Sequence, residues 1–223
     1  MPSDFPRSPK FLKGALVAYE SQFLGPIPNI IIFQYNPEQL RRTLTSRTPA
    51  PRTQQAGESR AETFRVEGPP VENINLTIVL NATDQLEVAH PMALAKGIYP
   101  ALSAFELMLY PPSSQVFLND TLSAAGSAQI QAQDVPLVLF IWGPSRVVPV
   151  RLTTFSVTEE AFDQMLNPIQ AKVELGMRVL SYMELRSTSL GYGAYVATQA
   201  QKEVMARLNI VNNVEQILGM LPI

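Results

Sequence analysis

Alternation of apolar and polar positions with a period of two dominates the chain. Across 72–82, Ile74, Leu76, Ile78 and Leu80 alternate with Asn73, Asn75, Thr77 and Asn81 around Val79. Residues 171–179 repeat the pattern, with Ala171, Val173, Leu175, Met177 and Val179 set against Lys172, Glu174, Gly176 and Arg178. Each predicts a strand with one buried and one wet face. The continuous apolar runs NIIIFQY at 29–35 and VPLVLFIW at 135–142 predict strands covered on both faces. With 11–19 and 146–157 they make at least six strands. The 19 prolines, concentrated in the first 170 residues, agree, because proline is excluded from helix interiors. The expected fold is mainly β, a barrel or sandwich.

A period near 3.6 appears twice. Over 99–110, Leu102, Phe105, Glu106 and Leu109 sit at helical spacing and Pro111–Pro112 close the segment, which predicts one flanking helix. After Gly191 and Gly193, Val196, Ala200, Val204, Leu208 and Val211 form a stripe. Val214, Ile217, Leu218 and Leu221 resume it after Asn212–Asn213, which predicts two short amphipathic helices. Short helices are marginal alone in water, so the tail is expected to dock on the β domain or on a neighbour. The division reads as 1–186 for the β domain and 187–223 for a helical extension. Thr158 followed by Glu159–Glu160 reads as a helix cap with acids in the first turn.

Charge changes this picture. Only 16% of the 223 residues are charged, with a net charge of −2, against about 25% charged in an average soluble chain. A surface so sparsely charged is weakly protected against association and points to an assembly subunit. The charge is also segregated. Residues 41–65 hold six arginines and two glutamates, whereas 67–134 hold seven acids and one lysine. That separation suits stacking of like subunits, positive on negative. The candidate interface residues are therefore Arg41, Arg42, Arg47, Arg52 and Arg60, with the stripe Val196, Ala200, Val204 and Leu208. The polar stretch 46–61 has no periodicity and is long for a plain connection.

Catalytic chemistry finds no support. The chain has no cysteine, which excludes thiol catalysis and cysteine metal sites, and one histidine, which excludes multi-histidine zinc sites. His90 precedes Pro91 and reads as a loop or helix-start residue. No phosphate loop occurs, and GPSRV at 143–147 lacks the second glycine of a nucleophile elbow. Leu139, Phe140 and Trp142 read as core. Without a basic excess or aromatic residues among the arginines, nucleic acid is not an expected partner. The longest apolar run, eight residues, is far below the roughly 20 that span a bilayer, and residues 1–10 carry no signal-peptide core. The expectation is a non-enzymatic protein without cofactor, metal or membrane insertion, assembled in the cytoplasm.

Several segments, in order, resemble the tube-like proteins of contractile injection systems: KGALV at 13–17, FQYNPEQLRRTL at 33–44 and GPPVENINLTIVLNATDQ at 68–85. YPALSAFELMLYPP at 99–112 is similar to that family's helix, and 136–180, around TEEAFD and LNP, to its closing strands. The likeness spans about 13–186. It implies a tail-tube fold closing into a homohexameric ring. Its partners would be the inner-tube protein, the spike and baseplate subunits of a phage-tail-like particle, which can be released. The extension at 187–223 lacks the LysM pattern of many relatives, and repeated tube rings lack such an extension, so a tube-initiator ring is the reading preferred over a repeated inner-tube subunit. A cell-wall or polysaccharide-binding module is the alternative from another class.

Overall fold

A computed structural model describes residues 12–19, 29–47, 66–111, 113–124 and 135–218. Its centre is the strand that the alternation marks most clearly, β4 (Val71–Asn81), in which Glu72, Ile74, Leu76, Ile78 and Leu80 point inward and are buried. On one side β4 pairs with β3 (Leu40–Thr45), on the other with β7 (Pro168–Val179). Beyond β7 lie β6 (Val147–Phe162), β5 (Leu137–Ile141), β1 (Ala15–Tyr19) and β2 (Asn29–Ile32). All seven form one antiparallel sheet in the order β2-β1-β5-β6-β7-β4-β3. The fold is mainly β, as the pattern predicts, but the expected barrel or sandwich is not observed. Among the described residues the terminal strands β2 and β3 do not pair with each other, and the described sheet is open at both edges.

The buried face packs against helices. Between β4 and β5 run α1 (Thr83–Glu87), α2 (Pro91–Lys96), α3 (Tyr99–Glu106) and α4 (Ser113–Ala124), where one flanking helix was expected. The helix expected over 99–110 is α3, which ends at Glu106: Leu102 and Phe105 are buried in it, Leu109 in the turn beyond is partly so, and the Phe105 ring stacks on Phe155 at 6.2 Å. His90 is the N-cap of α2, with Pro91 opening the helix where its missing N–H costs nothing. Gly97 closes α2 with φ +56°, and a Cβ there would meet the Pro168 carbonyl oxygen, so only glycine fits. The α4 segment SSQVFLNDTLSA mixes apolar and polar residues too evenly for its period to show. Phe140 is fully buried beside Phe33 and Trp142, and Leu139 is buried too.

Two local readings are corrected. Thr158, Glu159 and Glu160 do not cap a helix; they continue β6, paired to β7 through Thr158↔Lys172 and Glu159↔Ala171. The long β7 partner supplies ladder hydrogen bonds that outweigh a local capping preference. The tail is not two helices but one, α5 (Leu190–Leu218). Asn212–Asn213 are only mildly unfavourable in a helix, by well under 1 kcal/mol each, and neither is a glycine or proline that would break it.

A bulge in β6 sets the shape of the long hairpin. Leu152 pairs with Met177 and Thr154 with Gly176, so Thr153 is an extra residue. A Cβ at Gly176 would collide with Thr154 Oγ1 and lie 3.1 Å from Asn75 Oδ1. Glycine there lets the bulged strand sit close to β7.

Candidate assembly surfaces

The sheet's second face divides in two. Over β1, β5 and the start of β6 it is apolar, with Val17, Leu139 and Pro149 buried. Over β6, β7, β4 and β3 it is polar. Register aligns Arg41, Asn75, Gly176 and Thr154 in one row and Thr77, Glu174 and Ser156 in the next. Residues 35–39 wall this area into a concavity of about 720 Å³, with Tyr35 half exposed at its side. The side chains of Arg41, Asn75, Thr77, Thr154, Ser156 and Glu174 make no hydrogen bond or ion pair among the described residues. A row of unspent donors and acceptors over a dip is suited to contact with a polar surface or ligand.

The predicted arginines do not form one patch. Neighbouring strand residues face opposite sides. Arg41 is therefore exposed on the polar face, while Arg42 turns toward the buried one. There Arg42 Nε donates to Glu72 Oε1 at 2.7 Å, with Nη2 2.6 Å from the same oxygen. Arg42 is thus committed inside its own chain and is not an open interface residue. Arg47 follows β3; its carbonyl accepts from Glu67 N–H at 3.2 Å, and its buried Nε has no partner among the described residues. Arg52 and Arg60 lie outside the described residues.

Glu72 is also the anchor of α5. The helix starts with Gly191 against Leu137 and Pro149, where a Cβ would come within 3.2 Å. Tyr195 packs on the core, the Thr198 hydroxyl donates to the Val147 carbonyl at 2.7 Å, and Lys202 Nζ reaches Glu72 Oε2 at 3.4 Å. Positions 191, 195, 198 and 202 are one helical face. Burial lifts the Tyr195 phenol above its usual range, helped by Tyr182 and the Glu72 charge. Burial also lowers the Arg146 guanidinium, with Arg42 adding like-charge repulsion. Val196, Ala200, Val204 and Leu208 project from the opposite side. Val196 is 45% exposed and Val204 and Leu208 52% each, and no described residue packs over this stripe. From Lys202 onward the helix has no side chain buried through Ile210. At ~1.5 Å per residue, 203–218 extends for roughly 24 Å.

The sequence reading missed Glu72, Thr198 and Lys202. Glu72 carried a signal: it sits in phase with Ile74 and Leu76, an acid on an apolar face. The Thr198–Val147 bond carried none.

Among the described residues, no group of three or more His, Cys, Asp or Glu could hold a metal ion, and no helix is long and apolar enough to cross a membrane. No family model and no curated protein matches the chain.

Proposed function

We propose that this chain is a structural subunit of a contractile injection machine, a tube-initiator ring between the spike and the inner tube. The observation that carries the reading is the open seven-stranded sheet, helix-packed on one face and polar on much of the other. Edge strands present unpaired backbone groups that recruit another strand unless they are blocked. Among the described residues both edges, β2 and β3, are open. Copies joined edge to edge would bury them and present the polar face to the bore of a ring. The ordered likeness of 13–186 to tube-like proteins and the low charge content support the same reading, and the unpacked stripe of α5 is available to a baseplate neighbour.

Electron cryomicroscopy of the particle tests it. Sixfold density between spike and tube should fit this chain with the Arg41–Asn75–Thr154 face inward. Threefold or single-copy density would end the proposal, and many stacked layers would make the chain a repeated tube subunit.

The concavity beside Tyr35 favours a second reading, a polysaccharide-binding module. Titration with β-linked oligosaccharides, followed by the fluorescence of Trp142 and the tyrosines, separates the two: saturable binding that Tyr35→Ala abolishes would support the module.

A further inference from the structure

The protomer is polarised along its strands. Register places Asn73, Arg178 and Arg151 in one row and Asn81, Gln170 and Ala161 in another. Eight residues at ~3.4 Å each separate these rows by about 27 Å. Toward the first row lie Arg146, Arg151 and Arg186 and the docked half of α5, with Glu67 and, just past Lys202, Glu203 the acids on that side; none of these five makes an ion pair among the described residues. Toward the second lie Asp84, Glu87 and Glu159, without ion pairs among the described residues, together with Asp163 and against Lys96. Among the described residues one end is net positive and the other net negative.

Each end also carries exposed apolar side chains. At the negative end the β6–β7 hairpin turns through 163–167, placing Met165 and Leu166 outermost, 81% and 78% exposed. The turn is held rigidly. Asp163 Oδ1 accepts from the backbone N–H of Met165 and of Asn167, each at 2.8 Å, and Oδ2 accepts from Asn167 Nδ2 at 2.8 Å. Leu166 is fixed at φ +62°, a left-handed conformation that a leucine adopts only at a cost. A turn that presents two large apolar side chains in a fixed pose has already met the ordering cost of binding. At the positive end the outward stripe of α5, from Val196 to Leu208, is apolar and uncovered.

We propose that the Met165–Leu166 tip of one copy seats on the outward stripe of α5 in a second copy, joining the negative end of one to the positive end of the next. Apolar surface and charge match together, which is the basis for a copy of this chain as the occupant. Such a head-to-tail contact is heterologous, so it propagates or closes through further copies. It requires copies of the chain but no ring.

The absence of native cysteine allows a direct test on the full chain. Leu166→Cys and Val204→Cys are made in separate proteins, mixed and mildly oxidised. The two positions lie at opposite ends of a protomer, beyond the roughly 7 Å between Cα atoms that a disulfide allows, so any bond between them links copies. Mixed dimers well above the twofold excess over either homodimer that random collision gives are expected, and a chain carrying both cysteines should form a ladder. Met165→Asp added to the Leu166→Cys protein should reduce the mixed dimer about tenfold or more, because a buried unpaired charge is costly. Circular dichroism and melting of these variants should be unchanged, since all three side chains are exposed. A mixed species no more than twice either homodimer, as random collision gives, or no intercopy bond at millimolar protein, would overturn the proposal and leave the ring reading untouched.

Discussion

The two faces of β4 use the same backbone for opposite ends. Inward, Ile74, Leu76, Ile78 and Leu80 are almost wholly buried; outward, Asn75 and Thr77 are exposed and without partners among the described residues. The buried face accounts for the stability of the protomer, since apolar burial is the dominant favourable contribution to folding. The outward face contributes little and leaves its polar groups unspent. A face kept idle in the isolated chain is available for assembly, whereas a core residue is not.

Truncating the packed face should have the largest effect. Ile78→Ala or Phe105→Ala should lower stability by about 2–5 kcal/mol in urea unfolding, because both side chains are fully buried and leave a cavity. A loss below about 1 kcal/mol would mean that the face is less tightly packed than it stands here.

Next comes the junction of sheet and tail. Glu72→Ala leaves Arg42 and Lys202 without their shared carboxylate. Both cations are partly exposed, so about 1–3 kcal/mol is expected. Trypsin should also cleave after Lys202 faster in this variant. Unchanged cleavage would show that Gly191, Tyr195 and Thr198 hold the helix without it.

On the outward face, Arg41→Ser or Thr77→Ala should change stability by no more than about 0.5 kcal/mol. Particle yield, counted by electron microscopy, should nevertheless fall with Arg41→Ser. A clear melting shift would show that the polar face is structural after all.

The smallest effect is a pH dependence at the ends of the long hairpin. Asp163 is held below its ordinary value, first by Asn167 Nδ2 and then by the backbone N–H groups of Asn167 and Met165. At Glu184 burial acts to raise the carboxyl, but Ser181 N–H and Arg178 outweigh it and the net shift is downward. Carboxyls depressed in the fold stabilise it above their unfolded values near 4, and that contribution is lost as pH falls through the lower folded values. Protection of the Met165 and Asn167 amides, relative to their unfolded exchange rates, should therefore be high at neutral pH and fall below about pH 4. Asp163→Asn should remove that step.

How much was legible follows from the range of the interactions involved. The alternation of β4 and β7 is a local consequence of burial and could be read directly. Separating Arg41 from Arg42 was also within reach, since adjacent strand residues face opposite sides. Pairing partners were not: nothing near Thr158 announces that Lys172 will extend β6 through Glu159, and nothing in the tail announces Val147. The open edges of the sheet are likewise a property of which strands meet, and no strand records that by itself.

Thr153 carries a consequence for how this sequence can change over generations. Before it, even positions of β6 face the core, Val148, Val150 and Leu152; after it, odd positions do, Phe155 and Val157. The extra residue acts as a frame shift in side-chain direction. Deleting it would join Leu152 to Thr154 and give plain alternation, with Phe155 and Val157 still inward and the bulge gone. A single loss or gain beyond the bulge, between Phe155 and Val157, would instead turn the residues on one side of it to the opposite face, so changes there should be purged while loss of Thr153 itself remains open to drift.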